Sequence, residues 1–562
     1  MLPLGRSARP RLRSALRATP ALLAAACSAD LLQPRTSGPD DPVERSDSNG
    51  GAIVDGRPGD PDGETPSCEE GSSPIRRLSR FELERTLAAV FPQASLPELD
   101  LPRDQSPYGF DNDHDALRAN AIFVEEQLSF AETFSRGYGP TALAEVDCAG
   151  LDPAECGRRF VRMWGERLFR RPPDAALVDE LAMLFEGGTP EEGAALALEA
   201  MLLLPQFLYH IERPDSDVTE AGDYPLDAHS FASRLSYALW AAPPDTALVE
   251  AARDGRLDSA EGIRAEAERM LDDARARGGI RHFFAQWLDV ERLDQTSKLP
   301  EDGLDDGLRE AMKEETLRTV EALFFDRAGT VRDLYEAPFT FVNRELAELY
   351  GVPLPAGDGP WFEVSIPNRS GVLTQASFLA SHAHPGYKSP VLRGSFIVQR
   401  LLCLNLGSPP AEAESAMVPE RTDELVTNRQ RYDAITMSTP DCSYCHEIIN
   451  NAGYAFETFD TMGRYVTEES GVSIDNSGEL LDMPYRDALG LNDALGDDPR
   501  TVECATRRML RYLFAGAPAG LDPCVVDAVA DDVLAADGGL RELVLAVVTH
   551  PEFRTLRLEP AP

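Results

Sequence analysis

Apolar residues recur every three or four positions along most of this chain, which is the spacing of helices that bury one face. The first such stretch opens with the pattern of a capping box at Ser79 and Glu82. Leu78 and Leu83 flank this pattern as a hydrophobic staple would, and the helix is predicted to run to about Phe91. Folding is therefore expected to begin at this stretch.

A second capping box stands at Thr189 and Glu192, with Pro190 at the first helical position. The residues that follow, 194–211, are apolar on nearly every face, which is typical of a centrally buried helix. Pro205 lies within them, so we expect it to kink or split this helix.

The same periodicity predicts further helices and one short extended piece. They are helices at 116–138, at 228–240 with Asp227 as its cap, one started by Asp258 and Glu261, and at 280–288, 305–326, 344–350, 391–402, 424–434 and within 501–556, with an extended piece at 339–343. The predicted fold is mainly α, with several consecutive small helical domains.

The N-terminal residues have a different pattern. In residues 1–27, five arginines and an apolar run at 18–26 are typical of an export signal. The end of this segment resembles a lipobox and predicts lipidation of Cys27, with ordinary signal cleavage as the alternative. Residues 28–73 are rich in Pro, Gly, Ser and Asp and are predicted to be a disordered linker. We expect the body in the periplasm or cell envelope, with a lipid anchor as its only membrane contact.

The net charge of the chain excludes some classes of binding partner. The 562 residues include 95 acidic and 54 basic side chains, a net charge of −41. This balance argues against nucleic acid and anionic membrane surfaces as partners. It suits a solvated surface, or a basic redox partner that the charge attracts.

The strongest chemical motif is Cys442-Ser-Tyr-Cys445-His446. Two thiols at this spacing form thioethers to one haem, and the histidine that follows is placed as its axial ligand. The motif therefore predicts one covalently bound haem c. A thioredoxin-like disulfide would need a βαβ context, and a zinc site would need a second ligand pair nearby; the sequence shows neither.

Several short motifs together resemble one known family. They are LSRFE (78–82), a cysteine pair followed by LFRRP (168–172), FAQWLD (284–289), GVLT (371–374), SPVLRG (389–394), and the C-x-x-C-H run followed by GYAFETFD (453–460). The chain resembles exported helical proteins of planctomycetes and myxobacteria that are built from cytochrome-c-associated domains. The resemblance implies five helical domains: DUF1587-like at 74–140, DUF1595-like at 145–213, DUF1592-like at 223–350, DUF1588-like at 368–466 with the C-x-x-C-H run, and DUF1585-like at 500–557.

The resemblance leaves the second axial ligand of the haem open. The candidates are His384, His382, Met437 and Met462, of which His384 and Met462 are favoured. The family places a histidine shortly before its Ser-Pro-Val sequence, which matches His384 and would make it an iron ligand together with His446. Relatives also carry a histidine before the first haem cysteine, where this chain has none, and Asp-Pro where this chain has Asn450 and Asn451.

Three groups of residues near these motifs have two interpretations each. Lys388 and Arg393 either pair with haem propionates or hold the fold as ion pairs. The aromatic residues of 280–288 are predicted to be core rather than haem contacts. The aspartates of the 97–115 loop are predicted to form a polar loop rather than a calcium site, because the glycine and glutamate of an EF-hand loop are missing.

The other cysteines are predicted to be structural. Disulfides are predicted between Cys148 and Cys156 and between Cys504 and Cys524, while Cys68 and Cys403 either pair with each other or stay free.

Together these features predict an exported c-type haem protein, acting in periplasmic electron transfer or in an oxidoreductase system with an unidentified redox partner. The alternative is a lipid-anchored structural or interaction protein whose cysteines form disulfides and bind no haem. No hydrolase or nucleotide-binding signature is present in the sequence.

Overall fold

The computed structural model describes residues 75–106, 108–218, 220–407, 417–516 and 521–558. The predicted signal peptide, the linker, Cys27 and Cys68 lie outside these residues. The helices are α1 Arg80–Val90, α2 Ala121–Ala144, α3 Pro153–Phe169, α4 Ala175–Ala182, α5 Pro190–Leu203, α6 Pro205–Leu208, α7 Ala228–Trp240, α8 Thr246–Arg253, α9 Ala260–Asp272, α10 Ala274–Trp287, α11 Arg292–Gln295, α12 Asp306–Glu321, α13 Asp333–Glu336, α14 Arg344–Tyr350, α15 Ala376–Ser381, α16 Pro390–Phe396, α17 Asn428–Thr436, α18 Pro440–Tyr454, α19 Ala488–Asp497, α20 Pro499–Leu513, α21 Pro523–Ala535 and α22 Leu540–Thr549. Within the described ranges, no helix is both long enough and apolar enough to cross a membrane.

The strands are short, with two to four residues each. They are β1 Arg76–Arg77, β2 Tyr209–His210, β3 Gly222–Pro225, β4 Thr340–Val342, β5 Phe362–Val364, β6 Ala383–His384, β7 Tyr387–Lys388, β8 Glu468–Glu469, β9 Val472–Ser473, β10 Gly478–Leu480, β11 Met483–Tyr485 and β12 Thr555–Leu558. They form antiparallel pairs, β1 with β2, β3 with β12, and each remaining strand with its neighbour in sequence. The predicted mainly α fold is therefore confirmed.

Both predicted capping boxes are present. The backbone N–H of Glu82 donates to Ser79 Oγ (3.2 Å), and the backbone N–H of Ser79 donates to the Glu82 carboxylate (2.9 Å). Thr189 and Glu192 make the same reciprocal pair at the start of α5. Pro205 ends the long apolar stretch as predicted, because it opens the separate short helix α6.

Several helix starts differ from the prediction: α10 begins at Ala274 rather than 280 and α17 at Asn428 rather than 424, and the starts of α2 and α9 differ for a local reason. Helix α2 begins at Ala121 rather than at residue 116, because the Asn120 side chain accepts a backbone N–H of the first turn (2.9 Å). Helix α9 is capped by Ser259 rather than Asp258, which instead ends the preceding 3₁₀ turn. In both places a polar side chain close to the predicted one satisfies the free N–H groups.

Three hydrophobic cores organise the described residues. The first is formed by α1 to α6 and joins the predicted units 74–140 and 145–213. The largest extends from α7 to α22 and joins the units 223–350, 368–466 and 500–557. A smaller third core lies between α12, α14 and α15. Neighbouring units of the sequence thus share cores, because helices this short cannot bury enough apolar surface alone.

The aromatic residues of α10 lie inside the largest core. Phe283, Phe284 and Trp287 are all fully buried. The indole N–H of Trp287 donates to the carbonyl oxygen of Arg400 (3.0 Å), so its one polar group is satisfied. The predicted core role of these side chains is confirmed.

Disulfides differ in part from the prediction. Cys148 and Cys156 are bonded to each other. The predicted pairing of Cys504 with Cys524 is wrong, because Cys504 bonds to Cys403, 101 residues earlier. The expectation that Cys403 pairs with Cys68 or stays free is wrong for the same reason. Packing of the segment after α16 against α20 brings these sulfurs together, and sequence spacing carries no signal of that contact. Cys524 is also disulfide-bonded.

A buried carboxyl group lies in α12. The hydroxyl groups of Thr340 and Tyr350 each donate to one oxygen of Glu315 at 2.6 Å. Burial raises the pKa of Glu315 to about 7 from its ordinary 4.5, although the two hydrogen bonds favour the ionised form. Because the pKa is higher in the fold, this group stabilises the protein most below pH 4.5, and that stabilisation is lost as the pH rises through 7.

Replacing Glu315 with glutamine is expected to remove this pH dependence. One pKa unit corresponds to about 1.4 kcal/mol, so the free energy of unfolding of the wild type should fall by about 3 kcal/mol relative to E315Q between pH 4.5 and about pH 8. Denaturant titrations at both pH values measure the difference. Glu84→Gln at an exposed position of α1 is the control for the amide substitution. Parallel pH profiles for E315Q and wild type would contradict the prediction.

Candidate functional site

The C-x-x-C-H run forms the first two turns of helix α18. The Thr439 side chain caps this helix by accepting the backbone N–H of Cys442 (3.3 Å), and Pro440 occupies the first helical position. Cys445 and His446 follow Cys442 by three and four positions, so the three side chains share one helix face. All three are partly exposed. The local sequence thus places two thiols and an imidazole together where another group can reach them.

The thiols at this site differ from the other cysteines. Cys442 and Cys445 are both free, whereas every other cysteine in the described ranges is disulfide-bonded. The Cys445 thiol donates weakly to the carbonyl oxygen of Leu406, at 3.6 Å from its Sγ. The segment that contains Leu406 follows Cys403, which the disulfide to Cys504 fixes.

His446 is held by a residue that sequence reasoning missed. Its Nδ1 lies 3.1 Å from Oδ1 of Asn450, one turn later on the same helix. Asn450 is buried and also contacts the hydroxyl groups of Thr436 (2.7 Å) and Tyr454 (3.1 Å). The spacing of four residues from His446 is the signal that points to Asn450.

Helix α16 packs against α18, the helix that carries the C-x-x-C-H run. Helix α16 carries the SPVLRG motif and crosses α18 with its backbone in direct contact. A Cβ on Gly394 would lie 1.8 Å from the carbonyl oxygen of Ile449, and one on Gly453 would lie 2.0 Å from that of Pro390. Both motif glycines are therefore required because two helix backbones meet there.

Arg393 and Lys388 hold the loop that follows α18. Arg393 is fully buried and donates to the carbonyl oxygens of Phe456, Phe459, Leu379 and Asp460 at 2.7 to 3.3 Å. Lys388 donates to the carbonyl oxygen of Glu457 (2.7 Å) and lies 3.3 and 3.6 Å from the carboxylates of Glu457 and Glu469. Both side chains are thus engaged within the fold, so the alternative of propionate partners is not supported.

The candidates for a second axial ligand lie in different environments. His384 is half-buried in β6 and stacks on Tyr387, and burial lowers its pKa. His382 is buried, and its Nδ1 lies 3.0 Å from the carbonyl oxygen of Phe378. Met462 is fully buried in the third core, whereas Met437 is 40% exposed at the end of α17. Within the described ranges, no hydrogen bond or ring contact joins any of them to His446.

The aspartates of the 97–115 loop have separate partners. Asp111 binds His282, whose Nε2 is 2.9 Å from the carboxylate, while Asp113 accepts from Arg511 (2.6 Å). Asp113, His114 and the exposed Asp115 bring ligand atoms within 4.8 Å of one another, but Arg511 already neutralises the one buried carboxylate. The preference for a polar loop over a calcium site stays a prediction.

A second polar cluster lies where α1, α7, α10 and the end of α20 meet, around a cavity of about 60 Å³. Arg76 donates two hydrogen bonds to the buried Glu82 (2.7 and 2.8 Å), and His210 Nε2 is 3.5 Å from the same carboxylate. Burial lowers the pKa of His210 to about 4, so this side chain is neutral at neutral pH. His210 is far from Arg76 and Glu82 in sequence, and only the fold brings it to this pair.

Five family models match the chain, and each is described as a protein of unknown function. They are DUF1587 at 76–137, DUF1595 at 156–212, DUF1592 at 226–352, DUF1588 at 369–469 and DUF1585 at 483–553. The C-x-x-C-H run lies within the DUF1588 match. No curated protein and no solved structure matches the chain.

Proposed function

We propose that this chain, a member of the multidomain family that combines DUF1587, DUF1595, DUF1592, DUF1588 and DUF1585, carries one covalent haem c for electron transfer outside the cytoplasm. The proposed attachment site is Cys442 and Cys445, with His446 as the axial ligand. The proposed location is the periplasm or cell envelope, with Cys27 as the site of a lipid anchor.

One observation carries the proposal. The two thiols that remain unbonded in the described ranges are those of the C-x-x-C-H run, and they share a helix face with its histidine. In an oxidising compartment, neighbouring thiols form disulfides unless other chemistry consumes them. Thioether formation with a porphyrin is the chemistry that this spacing serves.

The residues present fit a haem of this kind. Cys442 and Cys445 are accessible, so they can react, and they fix the group to the first turns of α18. Because Asn450 occupies Nδ1 of His446, the other ring nitrogen, Nε2, is left for iron. When attached, haem supplies a one-electron redox centre.

Two accessible residues would be available as a further ligand of the haem iron. His384 is half-buried and Met437 is partly exposed, whereas Met462 and His382 are packed inside the protein. A methionine ligand would raise the reduction potential of the haem relative to a histidine ligand. A measured potential would therefore distinguish Met437 from His384.

Net charge supports the role of an electron carrier with a basic partner. At −41 the protein attracts cationic surfaces at long range and repels anionic ones. Association with a basic redox protein should therefore slow as the ionic strength rises, because salt screens this attraction.

The proposal is tested by producing the full chain in a bacterial host with a cytochrome c maturation system. We expect one haem per chain, retained on a denaturing gel and detected by haem staining and by a pyridine haemochrome assay. Cys442→Ala and Cys445→Ala should each lose most of the covalent haem. The double variant C148A/C156A is the control, because the two cysteines that it removes are bonded to each other in another part of the fold, so it should keep its covalent haem.

A different outcome would support the alternative function. If the exported wild-type chain carries no haem, and peptide mapping finds Cys442 bonded to Cys445, the haem proposal is wrong. The protein would then be a structural or interaction protein whose cysteines serve only as cross-links.

A further inference from the structure

Asn450 lies at the centre of a buried set of hydrogen bonds beneath His446. It is 2% exposed, and Tyr454, one turn further along α18, is equally buried. The hydroxyl group of Tyr454 in turn donates to the carboxylate of Asp433 in α17, at 2.5 Å. The contacts thus run from Asp433 through Tyr454 and Asn450 to the imidazole.

The direction of each hydrogen bond follows from the groups available. Thr436 donates its hydroxyl proton to the carbonyl oxygen of Tyr432 (2.8 Å), so towards Asn450 it can only accept. Tyr454 gives its proton to the Asp433 carboxylate, and burial, with Asp433 adding to it, raises the pKa of Tyr454 and keeps that proton in place. Tyr454 therefore also accepts from Asn450.

Two acceptors on one side fix the amide group of Asn450. Its NH₂ must face Thr436 and Tyr454, so its Oδ1 faces His446. An amide oxygen can only accept, which means that Nδ1 of the imidazole carries the proton. In the neutral ring the Nε2 atom then has the free lone pair.

We propose that Asn450 is the positioning residue that holds His446 as the Nδ1–H tautomer and so presents Nε2 to a metal. Tyr454, Thr436 and Asp433 act through Asn450 by fixing its amide group. The inference rests on the proposed haem function for its purpose, whereas the tautomer itself is a property of the protein alone.

The first experiment uses the full chain made without haem and kept reduced, with ¹⁵N-labelled histidine. Long-range ¹⁵N–¹H spectra report which ring nitrogen is protonated, and H446Q identifies the signals of His446. Wild type is expected to show the Nδ1–H form. Asn450→Ala should shift His446 towards the Nε2–H form, because the acceptor is gone, whereas Asn450→Asp should retain the Nδ1–H form because an oxygen acceptor remains.

Asn451→Ala is the matched control, since it removes the same side chain one position away on α18. Asn451 donates to the carbonyl oxygen of Glu447 (2.9 Å) and makes no hydrogen bond to His446. N451A should leave the His446 spectrum unchanged. An Nε2–H form in wild type, or a spectrum that N450A does not alter while the protein stays folded, would overturn the proposal.

The second experiment uses the haem-loaded protein. A hydrogen bond to Nδ1 makes an imidazole a stronger donor to iron. N450A should therefore lower the iron–histidine stretching frequency and raise the reduction potential, while N451A should change neither. Wild type without haem would defeat the proposed function, yet the haem-free spectra would still decide the role of Asn450. Equal frequencies and potentials in N450A and wild type would overturn that role.

Discussion

Gly394→Ala is expected to lower the free energy of unfolding by at least about 3 kcal/mol. The new Cβ would lie 1.8 Å from the carbonyl oxygen of Ile449, which belongs to the backbone of α18. No side-chain rotation relieves this contact, so α16 must move away from the helix that carries Cys442, Cys445 and His446. Denaturant unfolding of the full chain measures the loss, and the haem content of the exported variant reports the effect on the site.

Gly137→Ala is a control for which the free energy of unfolding is expected to rise rather than fall. Gly137 lies within α2, and a Cβ there would meet nothing within 4 Å. Because alanine favours helix over glycine, this variant should be stabilised by about 0.5–1 kcal/mol. A Gly394→Ala variant as stable as wild type would contradict the close contact of α16 and α18.

Arg393→Ala is expected to cost about 4 kcal/mol, the range for removing one member of a buried charged network. Its guanidinium group joins the end of α15 to the loop after α18 by donating to four backbone carbonyl oxygens. Without it those carbonyl groups stay buried with fewer donors. Burial lowers the pKa of Arg393 to about 10, so the side chain remains charged at neutral pH. Its replacement by alanine therefore removes a charged donor at neutral pH.

Two further variants sharpen this prediction. Arg393→Lys keeps the charge but cannot reach four acceptors with one ammonium group, so it should recover less than half of the lost stability. Arg136→Ala is the control, because Arg136 is exposed and makes only a helix-surface pair with Glu132; it should change stability by at most about 0.5 kcal/mol. Equal stabilities of R393A and R136A would show that the four hydrogen bonds do not stabilise the fold.

Helix caps and helix breaks could be predicted from the sequence because they depend on neighbouring residues. The capping boxes at Ser79 and Thr189 and the helix break at Pro205 depend on residues within one or two turns. The helix that places Cys442, Cys445 and His446 on one face was not among the predicted helices, although their spacing puts them on one face once the segment is helical. The start of α2 was misplaced because the cap provided by Asn120 was not recognised in the sequence.

Contacts between segments that are distant in the chain could not be predicted from the sequence. The partner of Cys504 is 101 residues away, and spacing favoured the wrong cysteine. The SPVLRG motif supported the resemblance to a family, but the sequence did not show what its residues do. Arg393 donates to four carbonyl oxygens and Gly394 lies where two helices cross, and both roles became clear only from the position of α18. The role of Asn450 followed only from the positions of Thr436 and Tyr454, which fix its amide group.

The sequence by itself determined the helical fold, the order of the family domains and the one cluster of thiols and imidazole. Those features follow from periodicity, capping and spacing, which act over a few residues. Only the tertiary structure decided which units share a core, which cysteines pair, and which side chain orients His446. These depend on apolar burial and hydrogen-bond completion among segments that meet only after folding, so no short stretch of the chain contains them.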